Sequence, residues 1–303
     1  MSEEILVSIC VITYNHGNYI KESLDSILMQ KVDFNYEIVI GDDCSPDNTQ
    51  EIIKDFKKRY PEKINAILRS ENIGTNANAY DVKKRSTGKY IAILEGDDYW
   101  TDVNKLQLQV DFLESHPEFF SVAHRHEIVD KEGIHHRYSH ENMKLNRFFT
   151  KKEAMEKKTE LFHLSTILFR NFFKDSGDEY IVFKNSNKYG SHSLFVFFLA
   201  SKSDIYIMDR AMSAWRYIDE PTATNYTSFA SRDKSKIIIN DFNKYVNYRE
   251  YFGLEYNFDN DVRISFLQLL RWSIKSDYPF FKKMKVLRES WKSLTSKDKL
   301  GLP

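Results

Sequence analysis

Apolar runs alternate with amphipathic stretches through the first 115 residues, and that rhythm leaves few folds open. Residues 5–14 form a nearly continuous apolar run, as expected for a strand covered on both faces. Residues 18–30 then place Ile20, Leu24, Ile27 and Leu28 on one helical face behind a potential Asn18 cap. The pattern repeats: strand 37–40, helix 48–60 stopped by Pro61, strand 64–68, helix 76–85, strand 90–94, helix 105–115 and strand 121–130. Strand–helix alternation with short connections predicts an α/β fold built on a doubly wound, mostly parallel sheet. Such sheets bind ligands beyond the carboxyl ends of their strands.

Those ends carry polar clusters here: Thr13-Tyr14-Asn15, Asp42-Asp43 and Glu95-Gly96-Asp97-Asp98. All three are expected to meet in one crevice. Several carboxylates at one strand terminus repel one another unless a cation neutralises them. A divalent ion held by one or two carboxylates, with phosphate oxygens and water completing its shell, is the arrangement that suits Mg²⁺ or Mn²⁺. Asp43 is placed to accept from a nucleobase N–H or ribose hydroxyls, and the Tyr14 ring to stack on a base. Asp47, Asn48 and Thr49 read as helix-capping residues.

Past residue 130 the rhythm loosens. Residues 131–190 are polar and mixed, 191–200 read as a helix, and 205–208 and 212–215 as two short strands. Three helical stretches follow at 231–251, 259–276 and 280–294. Between Arg263 and Lys299, ten basic and three acidic residues interleave with Phe266, Trp272, Phe280, Phe281 and Trp291. The segment therefore reads either as a helical cap with a solvated basic face or as a peripheral contact, through 263–299, with an anionic membrane. The 44 basic and 44 acidic side chains cancel, so no global charge calls for nucleic acid. Two cysteines, Cys10 and Cys44, suit a reducing compartment. The acidic residues ahead of the first apolar run are unlike a signal peptide, and no apolar stretch of about 18 residues or more occurs. These features lead to the expectation of a cytoplasmic protein, at most peripheral on the inner face of the cell membrane.

In order and spacing, Val7-Ser8-Ile9-Cys10-Val11-Ile12-Thr13-Tyr14-Asn15, Asp42-Asp43-Cys44-Ser45-Pro46-Asp47-Asn48-Thr49, Asn72-Ile73-Gly74, Gly88-Lys89-Tyr90-Ile91 and Glu95-Gly96-Asp97-Asp98 resemble family 2 glycosyltransferases of the GT-A fold. Glu95-Gly96-Asp97-Asp98-Tyr99-Trp100 followed by Lys105-Leu106-Gln107 looks like a subgroup that builds bacterial surface polysaccharides. The resemblance implies a GT-A domain over 1–220, with a donor half at 1–118 and an acceptor half at 119–220, followed by a helical region at 221–303. It further implies transfer of a sugar from a nucleotide diphosphate, with UDP expected, to an acceptor hydroxyl of a glycan or lipid-linked chain, with inversion.

On the same footing, Tyr14 and Asp43 would hold the base, Asp97 the ribose or metal, and Asp98 the Mn²⁺ or Mg²⁺. Glu95 stands where the family most often has Asp and would also face the metal. Arg69 would approach the base or diphosphate, and Arg216 would pair with phosphate. The family's catalytic Asp has no direct counterpart: Ser191 falls at its position, leaving His192, Asp178 or Glu179 as the base. Asp219 stands one place beyond a missing histidine. Two rivals remain: a nucleotide-sugar-binding protein without catalysis, and a sugar-phosphate nucleotidyltransferase, for which Thr13-Tyr14-Asn15-His16-Gly17 lacks a Gly-rich, basic phosphate loop.

Overall fold

A computed structural model describes residues 4–141, 144–150, 152–153, 162–174, 192–218, 234–252 and 257–295. The chain divides into two compact units, one comprising 1–179 with 195–218 and the other 180–194 with 219–303.

The first unit is built on a ten-stranded sheet. Its first half runs β1 (Val7–Thr13), α1 (Ile20–Leu28), β2 (Tyr36–Asp42), α2 (Thr49–Arg59), β3 (Ile64–Leu68), α3 (Thr75–Lys84) and β4 (Tyr90–Glu95). There follow β5 (Tyr99–Trp100), α4 (Lys105–Ser115), β6 (Ser121–Val129), β7 (His135–Tyr138), β8 (Arg147–Phe149), a 3₁₀ turn (Leu164–Thr166), β9 (Leu168–Arg170), α5 (His192–Lys202) and β10 (Ile205–Arg216). The order across the sheet is β3-β2-β1-β4-β9-β6-β10-β5, with β7 beside β6 and β8 beside β10.

β1 pairs in parallel with both β2 and β4, and β2 with β3. Its apolar run is explained by burial on both faces. Val7, Ile9 and Val11 share one core with Ile20, Leu24 and Ile27 of α1, Ile53 and Phe56 of α2, and Leu106, Val110 and Leu113 of α4. Cys10 points the other way and meets Ser86, just beyond α3, at 3.1 Å. Gly41 lets α3 lie directly on β2: a Cβ there would fall 2.3 Å from Asn78 Oδ1 and 2.5 Å from Val82 Cγ2. Helices therefore cover both faces, as the alternation predicts.

Two features differ from the expectation. The stretches at 205–208 and 212–215 are one strand, β10, whose register against β6 slips between Met208, Ala211 and Ser213. The irregularity interrupts the alternation of side chains, so the sequence reads as two pieces. β9 inserts antiparallel between β4 and β6, a non-sequential placement that local periodicity does not encode.

The second unit contains α6 (Lys234–Phe252), α7 (Asp259–Lys275) and α8 (Phe280–Lys292). Phe242 and Val246 of α6 pack with Val262, Phe266, Leu269 and Trp272 of α7, and with Leu294. No helix among the described residues is long and apolar enough to cross a membrane.

Candidate functional site

The ends of β1, β2 and β4 do converge. The Asp43 amide donates to the Thr13 carbonyl, and the Gly96 amide to the Ile12 carbonyl. Asn15 and Cys44, at the two neighbouring turns, both adopt left-handed backbone (φ 58° and 65°). That conformation is uncommon outside glycine and clusters at functional turns. Tyr14, the residue before Asn15, is more than a third exposed.

Gly96 brings the β4 turn onto the β1 turn. A Cβ at this position would lie 2.6 Å from Thr13 Oγ1 and 3.0 Å from His16 Nδ1. Gly96→Ala is therefore expected to push the turns apart and lower stability by about 1–3 kcal/mol, read from the denaturant midpoint.

Asp43 is buried, and its two oxygens accept from the Ile73 and Gly74 amides at 2.8 and 2.9 Å. Asn72 Nδ2 donates to the Asp43 carbonyl. Gly74 adopts φ 90°, which a side chain would strain. The spacing of Asn72-Ile73-Gly74 after Asp43 thus has a local cause: the loop latches onto this carboxylate. Arg69, expected near the base or diphosphate, donates instead to Asn78 Oδ1 at 3.1 Å and Asp81 Oδ2 at 2.7 Å, so its guanidinium is braced against α3.

Three groups meet beyond β4. Glu95, Asp98 and His163 each present one ligand atom, all within 4.8 Å of one another. His163 Nδ1 lies 3.6 Å from Asp98 Oδ2, and Nε2 lies 3.7 Å from Glu95 Oε2. The same Nδ1 lies 2.8 Å from Ser165 Oγ and 3.4 Å from the Ser165 amide.

Asp98 is 2% exposed. Its Oδ1 accepts from the Arg216 amide at 2.9 Å, while Oδ2 has no hydrogen-bond partner. Burial, reinforced by the charges of Asp97 and Glu95, holds this carboxyl well above the usual carboxylate range. An orphaned buried oxygen, a second carboxylate and an imidazole form a donor set that fits a divalent transition ion. Asp97 lies outside the group; its carboxylate is 3.7 Å from His16 Nε2. Thr13 Oγ1 and His16 Nδ1 are also buried without partners, so unsatisfied polar atoms border the turn on both sides.

The Trp100 of the same motif fixes this geometry. Its ring is fully buried, its amide donates to Ser26 Oγ, and its indole N–H donates to the Ser165 carbonyl at 3.1 Å. That bond ties the His163 loop to the β4 turn. Lys105 Nζ, buried and donating to Gln109, sits 4.1 Å above the Trp100 ring. The His163 ring in turn stacks on Trp215, centroids 5.3 Å apart.

Arg216 corrects the sequence reading. It was expected to face phosphate, but it is 2% exposed and committed inward. Nε donates to the Asp97 carbonyl at 3.0 Å, Nη1 to the Asp130 and Lys131 carbonyls, and Nη2 to Glu22 Oε2 at 2.6 Å. Tyr19 and Tyr99 rings flank it. Its side chain braces the acidic turn through these partners.

His163, His16 and Glu22 were not singled out as site residues by sequence reasoning. His163 comes from a loop far along the chain, with no motif spacing to mark it. Asp178, Glu179, Ser191 and Asp219 lie outside the described residues. His192 opens α5, and its side chain is likewise outside them.

With this geometry in view, the comparisons with known proteins give it a family. The model of Glycosyl transferase family 2 matches residues 8–177, more than half of the chain. The chain belongs to that family. An uncharacterised protein of Mycobacterium tuberculosis is 43% identical over 127 residues, 42% of this chain and 37% of that protein. The teichuronic acid biosynthesis glycosyltransferase TuaG of Bacillus subtilis is 34% identical over 108 residues, 36% of this chain and 42% of that protein. The chain thus spans well under half the length of these relatives. Among solved structures, Staphylococcus aureus TarS 1–349 in complex with UDP-GlcNAc is similar in fold, with a TM-score of 0.61 at 16% identity, covering 97% of this chain and 83% of that one.

Proposed function

We propose that the chain is a metal-dependent, inverting glycosyltransferase that moves a sugar from UDP to an acceptor hydroxyl in polysaccharide or glycoconjugate synthesis. The observation that carries this reading is the meeting of Glu95, Asp98 and His163 at the carboxyl end of β4, with one Asp98 oxygen left unsatisfied.

Tyr14, exposed at the end of β1, offers a stacking face for uracil. Asp43 uses one lone pair of each oxygen on its own loop, and the second remains suited to a uracil N–H. Asp97 and His16 lie where ribose or phosphate oxygens would approach. Glu95, Asp98 and His163 would hold Mn²⁺ or Mg²⁺; an imidazole donor favours Mn²⁺. The ion supplies charge that stabilises the departing diphosphate. Arg216 keeps Asp97 and Asp98 in place from behind. The acceptor proton passes to a base drawn from Asp178, Glu179 or His192. TuaG supports a cell-envelope glycan as the product class, and the TarS complex supports a UDP-sugar donor.

The test is UDP release from UDP-sugars with an acceptor mixture and Mn²⁺. Release that chelation stops and Asp98→Ala abolishes is the expected result. Donor binding without any release across the UDP-sugars would favour a binding protein on the same fold.

A further inference from the structure

A surface helix ordinarily keeps its apolar side chains on the face it folds with, and the start of α8 exposes several beyond that face. Val286 and Leu287 pack against the core of the second unit, and Ser290 is buried there. Yet Phe281 is 85% exposed and Phe280 69%, with Met284 and Trp291 about half exposed. Ile274, at the end of α7, is 81% exposed as well. Helical spacing makes the solvent face orderly. Phe280 and Met284 begin a stripe that runs inward to Leu287 and Trp291, whose ring meets core Phe266 at 5.8 Å, and Phe281, Lys285, Arg288 and Lys292 form the next. Lys282 stands in the first turn. The helix carries five basic residues and one acidic residue, Glu289.

We infer that the exposed start of α8, with Ile274 at the end of α7, seats the second unit on an anionic lipid surface. Two adjacent phenylalanines at the helix start would enter the boundary between headgroups and acyl chains. Lysine and arginine stems can lie along apolar surface while their charges reach lipid phosphates. Charge complementarity selects the lipid over a neutral apolar partner: the aromatic stripe is bordered by cations rather than by the mixed polar rim of a protein interface. The inference is independent of the transferase reading and would place any chemistry of this chain at the bilayer surface.

Sedimentation of the full chain with vesicles tests it, comparing pure phosphatidylcholine with vesicles containing about 30% phosphatidylglycerol. The expected result is binding to the anionic vesicles alone, weakened by salt. The Phe280→Ser, Phe281→Ser pair and the Lys282→Glu, Lys285→Glu pair should each lower the partition coefficient at least about tenfold. Unchanged far-ultraviolet circular dichroism would show that both variants fold. The inference is overturned if the wild-type chain stays in the supernatant or if the phenylalanine variant binds as tightly. It is equally overturned if the chain elutes as a dimer that the phenylalanine variant dissociates, which would make a second copy the occupant.

Discussion

Asp98→Asn is expected to lower the turnover number by about 10³-fold, equivalent to about 4 kcal/mol of lost charge stabilisation, while making the metal-free protein more stable. Both effects come from one atom. Oδ1 only receives the Arg216 amide, which an asparagine oxygen can also accept. Oδ2 has no hydrogen-bond partner and faces His163 Nδ1 at 3.6 Å. An amide NH₂ there can donate to His163 but cannot ligate a cation as a carboxylate does.

The stability sign follows from linkage. The unfolded chain releases this proton near pH 4, whereas burial makes the folded chain keep it to higher pH. Over that interval the folded state holds more protons, so this group's contribution to stability falls as pH rises. Asparagine removes the penalty. Its metal-free unfolding free energy should exceed wild type by about 1–2 kcal/mol at neutral pH, with the difference shrinking as the buffer is acidified. Adding Mn²⁺ should raise the wild-type midpoint and leave the variant's unchanged. A variant less stable than wild type at every pH would show that Asp98 is already neutralised by protein groups.

Arg216→Met is expected to cost about 3–5 kcal/mol, the range for breaking a buried, hydrogen-bonded charge. The guanidinium satisfies three carbonyls, of Asp97, Asp130 and Lys131, and one Glu22 carboxylate oxygen. No apolar side chain replaces those bonds. Arg216→Lys should recover only part of the loss, because a single ammonium cannot reproduce the planar fork. Glu22→Gln should cost much less, since its carboxylate is half exposed and solvent can satisfy what remains. Denaturant titration orders the three variants. Affinity for Mn²⁺ should fall most in Arg216→Met, since the guanidinium holds the Asp97 carbonyl, whereas the bond to Asp98 comes from the backbone amide and survives in every variant. A stable Arg216→Met protein with normal metal affinity and impaired diphosphate binding would restore the phosphate role.

The parts of the fold that local chemistry dictates were legible. β3 and α4 fall at the positions the sequence predicts, and the other early elements differ by a few residues at their ends, where caps and turns compete. The convergence of the β1, β2 and β4 termini follows from topology alone. What periodicity could not reveal is long-range. β9 enters between β4 and β6, and the turn just before it carries His163 to Glu95 and Asp98. No repeat or spacing links residue 163 to residue 95, and a single histidine in an apolar stretch reads as core. Arg216 misled for a related reason. Its side-chain chemistry suits phosphate, but its strand delivers it behind the acidic turn, where carbonyls and Glu22 take up the donors. Trp100 is the residue from which more could have been drawn. A tryptophan closing an acidic turn requires an acceptor for its N–H, and that acceptor belongs to Ser165, two residues from His163.

The most direct test of the central claim is a Mn²⁺ titration followed by the electron paramagnetic resonance signal of the free ion, on wild type and His163→Ala in the presence of UDP. The account predicts one bound Mn²⁺ per chain in the wild type, with affinity lowered at least about tenfold in the variant. Equal binding by both proteins, or no binding by either, would contradict a cation held by Glu95, Asp98 and His163.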